Sequence, residues 1–348
     1  MKLKAGLVLV FLSLITASSY LPGHAATAGS PLSRLIEGAR QEKEVDFAGP
    51  ASLTPAGAQA LMDALNKKYG LNLKMNFTAL TSYTRLMAQI IAEAQSAQPP
   101  TFDVVLVTDA HIASLYGRKL LQSFDWAGTF PHIPSQSILL ENHALMIDAI
   151  FAMPAYNTRL VRPQDVPKTW EDILDPKWQG KVLAATGMQI WARLTQRWGE
   201  QKTEDFMRRL AAQKPVIGGY PQIEPRLESG EYALIANQLS PLIAGSEEKK
   251  APVAYALEVK PIVVLLDVMT QVKNVRHPNA AALLMAFSLT PEGQEIWWKY
   301  GKRTSPFVKD TPAWKFVQGK ELLFGDMDFL QKREEELSEL YGKIIGLR

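Results

Sequence analysis

Four short turns carry side chains suited to gripping a small polar molecule. They are GPASLTP with Ser52 and Thr54, ALTSY with Thr81, Ser82 and Tyr83, VTDAH with Thr108 and Asp109, and ATGMQIW with Thr186, Gln189 and Trp191. Each follows a run that reads as a strand and precedes one that reads as a helix. In open α/β sheets, ligands collect at the carboxyl ends of strands, where helix N-termini present unbonded N–H groups. Hydroxyls and N–H groups together suit a carboxylate, a phosphonate or a similar anion. Asp109, if it faces a cleft, would suit an amine on the same solute. The same residue types also cap helices, so one Ser or Thr says little and the set says more.

Other candidates lie nearby in the pattern. Asn237 and Gln238 end the apolar run ALIANQ. Tyr156 ends another, where it could close over a solute or simply pack. Tyr220 follows two glycines in VIGGYPQ, and Asp267 stands inside VVLLDVM, where a carboxylate must be paired or hydrogen-bonded. Covalent chemistry has little to work with. The histidines are His24, His111, His132, His143 and His277, no two at a metal-like spacing, and there is no Cys and no G-x-S-x-G elbow. A dispersed Ser/His/Asp triad stays open, but nothing points to it. The reading is therefore of a non-enzyme with no metal and no cofactor.

The elements that position these turns alternate. EVDFAG (44–49), NLKMNFTAL (72–80) and FDVVLVTD (102–109) read as strands, with helices over 54–70 and 82–97 between them. This is a βαβ array. ALMIDAIFAMPAY (144–156) reads as a long strand that must end or bend at Pro154. A shaped connector follows, in which Thr169 and Asp172 resemble a capping box for a helix at TWEDIL. KVLAAT (181–186) opens a second array with GEYALIAN (230–237) and KPIVVLLDVM. The stretch 277–301 reads as mostly helix, and the tail as an amphipathic helix with a stripe of Leu330, Leu337, Leu340 and Ile344.

The chain has 348 residues, favouring two domains. It opens with Lys2 and Lys4, the apolar run GLVLVFLSLITA and the small-residue end LPGHA, a secretory signal pattern with cleavage expected after Ala25. That cleavage removes two lysines and no acid, so the formal charge falls from +3 to +1. Such a balance offers no case for nucleic acid or an anionic membrane. Without Cys, an exported chain has no disulfide and no lipidated anchor and must rely on its own core.

Three stretches carry a family resemblance. Tyr156-Asn157-Thr158 with PKTWEDILDPKWQGKV, SGEYAL (229–234) and HPNAAALLMAFSLTPEGQEIW (277–297) are similar to periplasmic solute-binding proteins of ABC importers. The group is the one that binds ferric iron, thiamine, polyamines and aminoethylphosphonate. The resemblance implies a type II periplasmic-binding-protein fold, with two α/β lobes of mixed sheet joined by hinge strands. Lobe 1 would comprise 26–152 plus 268–312, and lobe 2 would comprise 153–267 plus 313–348. It implies a monomer that captures a small-molecule solute by hinge closure and delivers it to a membrane permease. Ser52, Thr81, Ser82, Asp109, Tyr156, Thr186 and Asn237 are the expected ligand contacts. The iron binders of the group place an adjacent Tyr pair where this chain reads NQLSPL (237–242), and Asn, Gln and Ser are poor ligands for ferric iron. A small anionic or zwitterionic organic solute is expected, with ferric iron or an iron complex the alternative and a periplasmic hydrolase a remoter one.

Overall fold

The computed structural model describes residues 29–347; the expected signal peptide lies outside them. Eleven strands form one curled mixed sheet: β1 (Glu44–Pro50), β2 (Lys74–Leu80), β3 (Val104–Thr108), β4 (Ile138–Leu139), β5 (Ala144–Asn157), β6 (Val182–Ala185), β7 (Val216–Gly218), β8 (Leu234–Leu239), β9 (Val253–Tyr255), β10 (Ile262–Gln271) and β11 (Leu322–Leu323). The path runs β2-β1-β3-β10-β5-β8-β6-β7. β2, β1 and β3 are parallel, as are β8, β6 and β7. Between these parallel sets lie two long antiparallel strands, β10 and β5.

Those two strands cross from one lobe to the other. β10 pairs with β3 through Asp267–Gln271 while also running beside β5. β5 then pairs with β8 through its second half. Pro154 bends the strand without ending it: the register against β8 shifts between Met153 and Ala155, and pairing with β10 stops at Ala152. β9 takes over on that side, opposite Ala155–Asn157. A proline cannot donate to a ladder, so the sheet changes partner where the donor is missing.

Each lobe has its own apolar interior. The first gathers Phe47, Leu61, Leu106, Trp126, Leu283 and Trp297, all essentially buried. The second gathers Trp170, Leu183, Trp191, Met207, Leu234 and Tyr341. Burial of rings such as Trp170 and Trp191, which meet edge to face at 5.5 Å, contributes both area and geometry. The connector reads locally as expected, with Asp172 accepting from the backbone N–H of Lys168 and Thr169, and Thr169 accepting in return from Asp172. Its helix, though, is one 3₁₀ turn, Glu171–Leu174, since Asp175-Pro176 stops it. The tail needs a phase correction. The buried stripe of helix Glu334–Ile345 is Leu337, Tyr341 and Ile345, and Leu340 is 38% exposed. The packed face centres on Tyr341, whose hydroxyl lies 3.0 Å from that of Thr195.

Candidate solute site between the lobes

The strand ends behave as the turns suggest, each feeding a helix: Tyr83–Gln95 after β2, Asp109–Gly117 after β3, Gln189–Trp198 after β6, Tyr220–Glu228 after β7 and Ser240–Glu248 after β8. Ser82 caps its helix by accepting from Arg85 N–H at 3.3 Å. Thr81 and Thr186 are exposed. Ser52 is exposed and accepts from Arg303 at 3.0 Å. Asn237 is fully buried; its amide accepts from Ala185 N–H at 2.8 Å and donates to Ala185 O at 3.1 Å, bracing β8 against the end of β6. Tyr220 donates to Asn237 O at 2.8 Å, tightening the same corner. Asp109 is buried, and both its oxygens accept from Arg193 of the second lobe at 2.7 and 2.6 Å.

The structure adds a group that strand reading alone did not assemble. Asp148 on β5 and Asp267 on β10 are direct cross-strand partners, and both are buried. Arg303 pairs with Asp267, which gives Asp267 the partner its apolar run demanded. No donor reaches either oxygen of Asp148. Burial, and then the charge of Asp267, hold the Asp148 carboxyl well above the usual carboxylate range. Tyr83 stands beside this group, its phenol pushed up by burial and by Asp267. Its ring lies 5.0 Å from His111, whose imidazole burial shifts down and whose Nδ1 lies 2.7 Å from Thr108 Oγ1. Ser52, Tyr83, Asp148, Asp267 and Arg303 thus form a polar floor at the crossing strands.

Next to that floor is a cavity of about 410 Å³, which Arg303 also lines. One wall is the second lobe's helix Ser240–Glu248, with Ser240 and Glu247 lining it. The facing wall comes from the first lobe, with Trp298, Lys302 and Thr304, and from Phe316. Tyr156 and Tyr255 also line it. A Lys302–Glu248 ion pair at 2.6 Å spans the two walls. Ser240 is held in place by accepting from Phe151 N–H at 3.0 Å.

One acidic cluster is accounted for otherwise. Asp46, Asp103 and His277 approach one another near the amino ends of β1 and β3, away from the strand-end turns. Asp103 there accepts from His277 Nδ1 at 2.7 Å and from three backbone N–H groups, and Arg276 pairs with Asp46. It ties the first-lobe strands to the segment before helix Pro278–Ser288.

Comparison with known proteins fits this architecture. Residues 60–324 match the family of bacterial extracellular solute-binding proteins, and the chain belongs to that family. A curated relative, an uncharacterized protein of Haemophilus influenzae, is 29% identical over 148 residues, which is 40% of this chain; the chain spans 42% of that relative's length. Among solved structures, iron-bound HitA from Pseudomonas aeruginosa superposes with a TM-score of 0.69 at 19% identity, over 86% of this chain and 99% of that one. The ferric binding protein from Campylobacter jejuni gives 0.70 at 14% identity, over 87% of this chain and all of the other (100%). AfuA from Actinobacillus pleuropneumoniae, with fructose-6-phosphate bound, gives 0.66 at 21% identity, over 88% and 99%. At these identities the likeness is one of fold, the two-lobed type II arrangement.

Proposed function

We propose that this protein is the periplasmic solute-binding component of an ABC importer, exported through a signal peptide cleaved after Ala25. It captures a small anionic or zwitterionic organic solute between its lobes and hands it to a membrane permease. The observation that carries this reading is the pair of crossing strands, β5 and β10, with groups from both lobes meeting beside them. A ligand that touches both walls favours the closed state, since it shifts an equilibrium only by its differential affinity for the two states. The lobe boundaries proposed from sequence, 26–152 with 268–312 and 153–267 with 313–348, are supported by the way the two apolar interiors divide. Solved neighbours of this fold hold iron or a sugar phosphate. Here the stretch NQLSPL (237–242) stands where the iron binders of the resembled group place an adjacent tyrosine pair, which favours an organic solute.

A thermal-shift screen of the exported protein tests this reading. A solute at roughly 100 times its dissociation constant stabilises by about 2.7 kcal/mol. No stabilisation by any amino acid, polyamine, phosphonate, sugar phosphate, thiamine or metal ion would count against it. So would turnover of a chromogenic ester, or an intact mass that still begins at Met1.

A further inference from the structure

We infer that the inter-lobe cavity takes an elongated zwitterion with an apolar body, its acid group toward Arg303 and its ammonium toward Glu247. This inference rests on the solute-binding reading and narrows its substrate class. The cavity runs along the helix Ser240–Glu248. At a rise of 1.5 Å per residue, Ser240 and Glu247 lie about 10 Å apart along that helix. The two ends differ in chemistry. At the Ser240 end are the helix N-terminus, Arg303 and Thr304; Arg303 pairs with Asp267 and donates to Ser52, which leaves its buried Nε–H without a partner, and Thr304 bridges Ala149 and Ser240 bonds Phe151, so both stand against β5. Helix N-termini and guanidinium groups both favour an anion. At the other end Glu247 is exposed, and no cation pairs with it among the described residues. Lys302, which also lines the cavity, is paired with Glu248 at 2.6 Å.

Between the ends the lining is apolar: Phe151, Ile243, Ala244, Trp298 and Phe316. The rings of Phe151 and Phe316 meet at a tilt, their centroids 4.9 Å apart. A sugar would lose its water shell against these walls with few groups to replace it, at a cost for each unpaired hydroxyl. An alkyl or aryl body would instead gain from burial. Charged ends with an apolar middle therefore match an ω-amino acid better than a polyol phosphate or a polyamine.

The test uses calorimetry on exported protein with 6-aminohexanoate and 4-(aminomethyl)benzoate as probes. Hexanoate, hexylamine, glycine and fructose 6-phosphate serve as controls. At least one zwitterionic probe should bind ten-fold or more tighter than hexanoate, hexylamine or glycine. Glu247→Gln, at an exposed position, should weaken that probe about five-fold or more and leave hexanoate unchanged. Ala244→Trp should abolish binding by filling the cavity, with circular dichroism checking its fold. The inference is overturned if neither probe binds at 10 mM, or if both bind but Glu247→Gln changes nothing. Tight binding of fructose 6-phosphate without either probe would overturn it while leaving the solute-binding reading standing.

Discussion

Arg193 of the second lobe grips Asp109 of the first through two hydrogen bonds of 2.7 and 2.6 Å, with both side chains 1% exposed. The same guanidinium donates to Glu334 of the C-terminal helix at 2.6 Å and to Val264 O of β10 at 2.7 Å. One residue thus joins both lobes, a crossing strand and the tail. It sits beside the strands that cross between the lobes. Asp109 is committed to this contact, and a solute's amine would have to compete with a bidentate arginine for it.

Removing Asp109 leaves Arg193 paired with Glu334 but takes a partner from its buried guanidinium N–H groups, which costs about 1–3 kcal/mol. Asp109→Ala should therefore lower stability by about that much in urea unfolding. Asp109→Leu combined with Arg193→Met and Glu334→Leu should recover much of it, because no buried polar group is left without its partner. If Asp109→Ala leaves the midpoint where it was, the triad is not what holds this junction.

The Asp148 carboxyl, raised by burial and by Asp267, sets a pH dependence of definite sign. Above the ordinary carboxylate value of 3.8 the unfolded chain releases this proton while the folded protein keeps it. The folded state then binds more protons, so this group's contribution falls as pH rises from about 4 toward its raised folded value. Asp148→Asn cannot ionise. It should be more stable than the parent at pH 7, with the gain shrinking toward pH 4. Urea titrations of both proteins across that range would show the curves converging at acid pH; parallel curves would contradict the raised Asp148 carboxyl.

Asn237 and the exposed turn residues should separate cleanly. Asn237→Ala leaves the backbone N–H of Ala185 without its partner, at a cost of about 1–3 kcal/mol in stability. Thr81→Ala and Thr186→Ala, both exposed, should leave the unfolding midpoint within about 0.5 kcal/mol. Their effect is to be sought in solute affinity. A large stability loss from Thr81→Ala would mean that its hydroxyl serves the fold.

Ferric iron should not form a coloured complex with this protein. Tyr83, Tyr220 and Tyr255 all have phenols pushed up, chiefly by burial, so each resists becoming the phenolate that ferric iron prefers. Adding ferric citrate to the apo-protein should produce no visible absorption band. A stable red or orange species with stoichiometric iron would reverse the choice of solute class.

The amino-acid sequence by itself settled what depends on neighbours along the chain. Alternation and period placed the strands and most helices, Pro154 marked where β5 changes partner, and Thr169 with Asp172 announced their own reciprocal bonds. Those signals are local: a cap, a missing donor or a repeat of two or 3.6 residues is complete within one turn or strand. It also foretold that Asp267 needs a partner, because burying a lone carboxylate is costly. It did not name Arg303 or Asp148. Their meeting depends on the register between β5 and β10 and on a residue beyond both strands, and no spacing in the chain encodes that. Arg193 likewise reads as one more charge on an amphipathic helix. Only the docking of that helix against Asp109 and Glu334 turns it into a buried junction. The tail shows the narrowest margin: Leu340 and Tyr341 differ by one position and 100° around a helix, and the packing partner, Thr195 included, decides which faces inward.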